Sequence, residues 1–144
     1  MKHIKYKVTT DRGLIMKCLT SSWKSWSRMG GDGVDPELFF PLHKHITWLK
    51  CGKYGVFMGM DMGSGVWDCH AALLPNSTGQ GNRIALGAYA WAFRNLDCKE
   101  CISTIPRHSL GVIKFAEKLG LKLIKEDLHT VTYSITREDF MDRI

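Results

Sequence analysis

A chain of 144 residues is long enough to bury a core and reads as one domain over 1–144, and its 44% hydrophobic and 24% charged content excludes a disordered or collagen-like polymer. No apolar run reaches the roughly 18 to 20 residues that a membrane span requires. The formal charge of +6 admits an acidic partner, but the basic residues are scattered with no stripe interleaved with aromatics, so nucleic acid is a weak reading and a solvated basic surface the simpler one.

The opening MKHIKYKV alternates Ile4, Tyr6 and Val8 with lysines, which predicts a half-exposed strand where a signal peptide would carry an apolar core. The expectation is a soluble cytoplasmic protein. Thr9, Thr10 and Asp11 offer helix caps, and Leu14, Ile15, Cys18, Leu19, Ser22 and Trp26 recur at helical spacing, predicting a long first helix. Gly30-Gly31-Asp32-Gly33 breaks it. Asp35-Pro36-Glu37 then has the cap, first-turn proline and acid of a second helix, which reaches Trp48 or Leu49 with Pro41 as a kink or division. His43 and His45 flank Lys44 there and read as surface residues. Trp23, Trp26, Phe39, Phe40 and Trp48 serve as core or as a docking surface.

Residues 54–60 predict a strand, Gly63-Ser64-Gly65 a turn and residues 66–74 its hairpin partner, ended by Pro75. A helix over about 82–95 is apolar nearly all round and therefore mostly buried, with Gly87 permitting close approach to a sheet. Residues 101–105 form a strand, Ser109 caps a helix striped with Leu110, Ile113, Ala116 and Leu119, Gly120 closes it, and residues 121–125 and 131–135 are the last strands. Cys98-Lys99-Glu100-Cys101 invites a metal or redox reading. No second ligand pair follows beyond Cys69 and His70, and the motif begins a strand, whose alternate side chains point to opposite faces. These cysteines are read as structural, the odd total of five as reduced thiols, and no metal site is assigned.

The stretch LLPNSTGQGNRIALGAYAWAF, from Leu73 to Phe93, joins an apolar run to a small-residue helix through a glycine-containing loop. Such a loop points free backbone N–H groups at one spot, backed by the helix dipole, which suits an anion. The spacing around Gly79 and Gly81 matches neither a dinucleotide fingerprint nor a P-loop.

The order of elements resembles that of the GNAT (Gcn5-related N-acetyltransferase) superfamily, a mixed, mostly antiparallel sheet flanked by helices. Residues 75–85 are similar to its acyl-CoA pyrophosphate loop. FAEKLGLKLIKE, from Phe115, resembles its late helix and following strand, and TYSITREDF, from Thr132, the last strand of the branch acting on ribosomal-protein N-termini. The resemblance covers residues 54–140 well and the first fifty only by topology. It implies acetyl-CoA as cofactor, held by Leu73, Leu74, Thr78, Gly79, Gln80, Gly81, Asn82, Arg83 and Ser109, and a primary amine or protein as acceptor. Thr78 stands where the family has Arg or Gln, Ser109 at its frequent Asn, and Arg83 at a small residue, where it either crowds the diphosphate or pairs with it. Ala116 occupies the position of the tyrosine that protonates the leaving thiolate, and an alanine has no proton to give.

Asp68 and His70 lie two apart on one strand and share a face, with Trp67 and Cys69 on the other. If that face lines the acceptor cleft, His70 is the candidate base, since imidazole exchanges protons near neutrality, and Asp68 assists it. The other reading makes His70 a hydrogen-bonded structural residue. His108 and Ser109 either contact ligand or cap the helix. A narrower resemblance, carried by His70, Ala88 to Phe93 and Ile105-Pro106, is to small GNAT-like proteins of tailed bacteriophages, and implies a virion or assembly accessory protein that binds phage structural proteins. Such a protein would reside in the host cytoplasm or in the virion. Active acetyltransferase and inactive binding protein both stay open, as does a homo-oligomer.

Overall fold

The computed structural model describes residues 3–22 and 44–142. Asp11 opens the first helix as expected: its carboxylate accepts from the Leu14 N–H at 3.1 Å. Strand β1 (Tyr6–Val8) precedes this helix, α1 (Arg12–Ser21). Ser22 closes α1, its hydroxyl donating to the Cys18 carbonyl at 2.8 Å, so the helix is shorter than its apolar spacing suggested. Trp23, Trp26, the glycine break, the start of the second helix, Phe39, Phe40, Pro41 and His43 lie outside the described residues.

The expected reach of that second helix to Trp48 or Leu49 is corrected. These residues belong to strand β2 (Ile46–Cys51), preceded by a 3-10 turn at Lys44 and the exposed His45. The reason is burial on both faces: Ile46 and Trp48 pack toward α1, while Leu49 and Cys51 pack on the opposite side of the sheet. Trp48 is thereby core, not a docking surface. The hairpin follows as read, with β3 (Gly55–Asp61) and β4 (Val66–Leu73) joined through Gly63, Ser64 and Gly65.

After a 3-10 turn at Pro75–Ser77 come α2 (Gly81–Asn95), β5 (Glu100–Pro106), α3 (Leu110–Lys118), β6 (Lys122–Glu126), β7 (Thr130–Thr136) and α4 (Arg137–Asp142). The end of α3 explains Gly120: its φ of +94° allows the Leu121 N–H to reach the Ala116 carbonyl at 3.1 Å, and its own N–H to reach Glu117 at 3.0 Å. The last strand, expected over 131–135, runs from Thr130 to Thr136, where the Thr136 hydroxyl accepts from the Asp139 N–H at 3.1 Å and caps α4, so TYSITREDF spans a strand and the helix after it.

Among the described residues the strands form one sheet in the order β1-β2-β3-β4-β5-β7-β6. Every neighbouring pair is antiparallel except β4 and β5. On one face α1 sets Ile15, Cys18 and Leu19 against Ile46, Trp48, Val56, Met58 and Ala72. On the other, α2 and α3 cover Phe57, Trp67, Cys69, Ile105 and Tyr133. Ile84 and Phe93 of α2 are each 1% exposed, a burial that stabilises by about 1.5–3 kcal/mol per side chain. No described helix is long and apolar enough to cross a membrane.

Candidate functional site

The parallel pair at the centre of the sheet is short. Its ladder joins Val66 to Glu100, Trp67 to Cys101 and Asp68 to Ile102 and ends there, while β5 continues along β7 to Pro106 and β4 along β3 to Leu73. The two strands therefore part from Cys69 and Ser103 onward. Into this gap opens a cavity of about 290 Å³, bordered by Cys69, His70 and Ala71 from β4 and Ser103, Ile105 and Pro106 from β5. Its other walls include Phe57 of β3, Ala85 and Tyr89 of α2, and Val112, Phe115 and Ala116 of α3. Phe57 and Tyr89 meet edge to face with centroids 5.5 Å apart.

The loop between β4 and α2 winds on itself beside this cavity. Ser77 N–H donates to Leu74 at 3.0 Å, Gln80 N–H to Ser77 at 2.8 Å, and the Thr78 hydroxyl to the Pro75 carbonyl at 2.9 Å. Gly79 turns the chain with φ of +81° and open space around its Cα. Gln80 then occupies the N-cap of α2 without a side-chain capping bond, so among the described residues the first-turn N–H groups of Gly81 and Asn82 have neither an intrahelical acceptor nor a side-chain cap from Gln80. The Asn82 amide oxygen is buried beside them without a hydrogen-bond partner among the described residues. Arg83 donates to the Gln80 side-chain oxygen at 3.1 Å, which places its guanidinium against the loop. Gly81 lies against Phe115: a Cβ there would meet Cε2 at 3.2 Å.

Of the residues expected to hold acetyl-CoA, Ser109 borders the cavity, while Thr78, Gly79, Gln80, Gly81, Asn82 and Arg83 form the loop and helix start outside its lining and meet its wall where Gly81 packs on Phe115. Leu73 packs into the α2 side of the core and Leu74 into the α1 side. Ser109 was expected to cap α3, yet its hydroxyl makes no capping bond; the side chain is 9% exposed and faces inward. His108 is exposed.

Asp68 and His70 share a face as the strand period requires, the one turned toward α1. His70 Nε2 lies 2.9 Å from Asp68 Oδ1, and both side chains are 13% exposed. The pair thus stands on the sheet face opposite α2 and α3, at the point where β4 leaves β5.

The cysteines are free thiols, and all five are buried. The expectation that Cys98 and Cys101 diverge is corrected: Cys98 precedes β5, so its Sγ turns back to lie 3.6 Å from that of Cys101. Cys69 Sγ donates instead to the Trp67 carbonyl at 3.6 Å. Hydrogen bonding to Cys101, then burial, pushes the Cys98 thiol well above its ordinary range, and such thiols are inert.

Tyr89, Ser103 and Phe115 were not marked as site residues in the sequence. The available signal was Gly81, Ala85 and Tyr89 at intervals of four on one helix, hidden because the helix reads as apolar all round.

No protein-family model matches the chain, and no curated protein sequence does. Solved structures do. The N-acetyltransferase PseH of Campylobacter jejuni is 14% identical over 94% of this chain and 99% of its own, with a TM-score of 0.68, and has also been solved in complex with acetyl coenzyme A. The spermidine N-acetyltransferase of Vibrio cholerae, in complex with CoA and spermine, is 11% identical over 96% of this chain and 98% of its own, with a TM-score of 0.74. FdhC, a nucleotide-linked sugar GNAT, is 14% identical over 98% of this chain and 90% of its own, also with a TM-score of 0.74. At these identities the likeness is one of architecture, and what it shows is that this chain has the GNAT acyltransferase fold.

Proposed function

We propose that this protein is an N-acyltransferase that moves an acetyl group from acetyl-CoA to a primary amine. The observation that carries the reading is the parting of β4 and β5 over a mainly apolar cavity, next to a helix that begins without a side-chain cap. Those residues fit the cofactor. The cavity walls suit a pantetheine arm, and the N–H groups of Gly81 and Asn82, with Arg83 alongside, suit a diphosphate. The pairing of Arg83 with Gln80 favours contact with phosphate over obstruction, because the guanidinium is held at the loop's edge.

Acetyl-CoA bound there supplies the acetyl group as a thioester. His70, on the far side of the gap, receives the proton that the attacking amine loses, and Asp68 fixes its ring through the 2.9 Å contact. The strand backbone at Cys69 to Ala71 orients the carbonyl.

Calorimetric titration with acetyl-CoA, against an adenine-nucleotide control, tests the reading, followed by thiol release from acetyl-CoA across a panel of primary amines. Micromolar binding that Arg83→Ala weakens about tenfold, the loss of one charge-assisted contact, supports it. No binding at millimolar acetyl-CoA overturns it in favour of the alternative, a protein that keeps this fold for binding partners such as phage structural proteins.

A further inference from the structure

A thioester cleaved in this cavity leaves negative charge on sulfur among walls that include Phe57, Ala85, Phe115 and Ala116. An anion in apolar surroundings is costly without a hydrogen-bond donor. Among the described residues three hydroxyl side chains border the cavity: Ser109 just past β5, Ser103 on β5, and Tyr89 on α2.

The helix itself separates them. Gly81, Ala85 and Tyr89 stand four apart and form one ridge, with Gly81 against Phe115 and the other two on the cavity wall. Eight residues rise about 12 Å along a helix. A ligand whose diphosphate meets the N–H groups at Gly81 and whose pantetheine arm follows this ridge brings its sulfur to the level of Tyr89. Tyr89 shares the cavity wall with Cys69, and its ring meets Phe57 edge to face. Cys69 is the first β4 residue beyond the last β4–β5 pair, so Tyr89 borders the cavity at the root of the gap.

We propose that Tyr89 is the catalytic hydrogen-bond donor to the departing sulfur, an inference that rests on the acyltransferase reading. Burial, and after it the neighbouring thiols, holds this hydroxyl well above the ordinary tyrosine range, so it stays protonated and donates a hydrogen bond instead of acting as an acid. Tyr89 donates as the C–S electron pair passes to sulfur and the C–N bond forms, His70 takes the amine proton, and water returns a proton to sulfur.

The test needs no acceptor amine. Wild type, Tyr89→Phe and Ser103→Ala are titrated calorimetrically with CoA and with desulfo-CoA at pH 9, within the range where a thiol begins to ionise. Wild type binds CoA about tenfold more tightly than desulfo-CoA, as a hydrogen bond to a charged atom implies. Tyr89→Phe removes that preference while keeping its affinity for desulfo-CoA, and Ser103→Ala retains it. A full preference in Tyr89→Phe, its absence in wild type, or its loss only in Ser103→Ala overturns the proposal while leaving CoA binding intact. Equal weakening toward both ligands in Tyr89→Phe marks a packing role and also overturns it. Failure of wild type to bind either ligand overturns the acyltransferase reading and this proposal together.

Discussion

Gly81, the first residue of α2, lies beneath the ring of Phe115, so that a Cβ would stand 3.2 Å from Cε2 and 3.5 Å from Cζ. The small residue here serves helix packing as well as any ligand. Gly81→Ala sets a helix-propensity gain of up to about 1 kcal/mol against a shift of a half-buried ring and changes stability little. Gly81→Leu displaces the ring and costs about 1–3 kcal/mol. Adding Phe115→Ala to Gly81→Leu should recover melting temperature without recovering acetyl-CoA affinity, because the new side chain still covers the N–H groups. Recovery of both would mean the glycine acts through packing alone.

Gly87 faces Tyr6 across the junction of α2 and β1: a Cβ would fall 2.1 Å from the hydroxyl oxygen and 2.5 Å from Cζ. The Tyr6 hydroxyl donates to the Ile84 carbonyl at 2.8 Å and so ties the edge strand to the helix. Gly87→Ala expels the tyrosine and should cost about 1–3 kcal/mol, lowering the melting temperature by roughly 2–4 °C per kcal/mol. With Tyr6→Ala already present the sign should reverse, since the added methyl meets no ring and gains up to about 1 kcal/mol of propensity. A double-mutant cycle by thermal denaturation reads this directly, and the same cost in both backgrounds would refute it.

What was legible in the sequence follows from where one period dominates. The β3–β4 hairpin and α2 carry clear turn and helix patterns, and Asp68 and His70 meet because a strand places alternate residues on one face. ITWLKC carries apolar residues on both faces and so lost its strand period, which let the Asp35-Pro36 helix start extend over it. Arg137 to Asp142 follow a strongly β-branched run without a break residue, and only the Thr136 cap reveals the change to helix. Phe115 and Tyr89 are apolar residues on apolar helices, and nothing in the linear pattern marks that they face a gap between strands.

Asp127 closes the turn between β6 and β7 through three hydrogen bonds. It accepts from the backbone N–H of His129 at 2.9 Å, from that of Thr130 at 2.8 Å and from the Thr130 hydroxyl at 2.9 Å. The backbone bond from His129, then the two from Thr130, hold its carboxyl down to about 2, against 3.8 for the free group. The unfolded chain therefore binds this proton first on acidification. The contribution is fully present above about pH 4 and is lost as pH falls through 2. Asp127→Ala should lower the melting temperature at pH 6 and converge on wild type near pH 2. A constant difference across that range would show that the turn is stabilised by something other than the carboxylate.

His70 and Asp68 stand on the α1 side of the sheet, while the cavity opens mainly on the α2 and α3 side. Substitutions in the pair should therefore affect transfer and leave cofactor binding nearly intact. His70→Gln should lower kcat by about 10²-fold with little change in the KM for acetyl-CoA, the loss expected for a proton acceptor. Asp68→Asn should give a smaller fall, since an amide of the same size still stands against the ring. His70→Gly supplies the decisive readout: imidazole added in solution should restore part of the rate if the ring's task is to take a proton. A raised KM for the amine with unchanged kcat in all three variants would instead make the pair an acceptor-binding element and remove His70 from the chemistry.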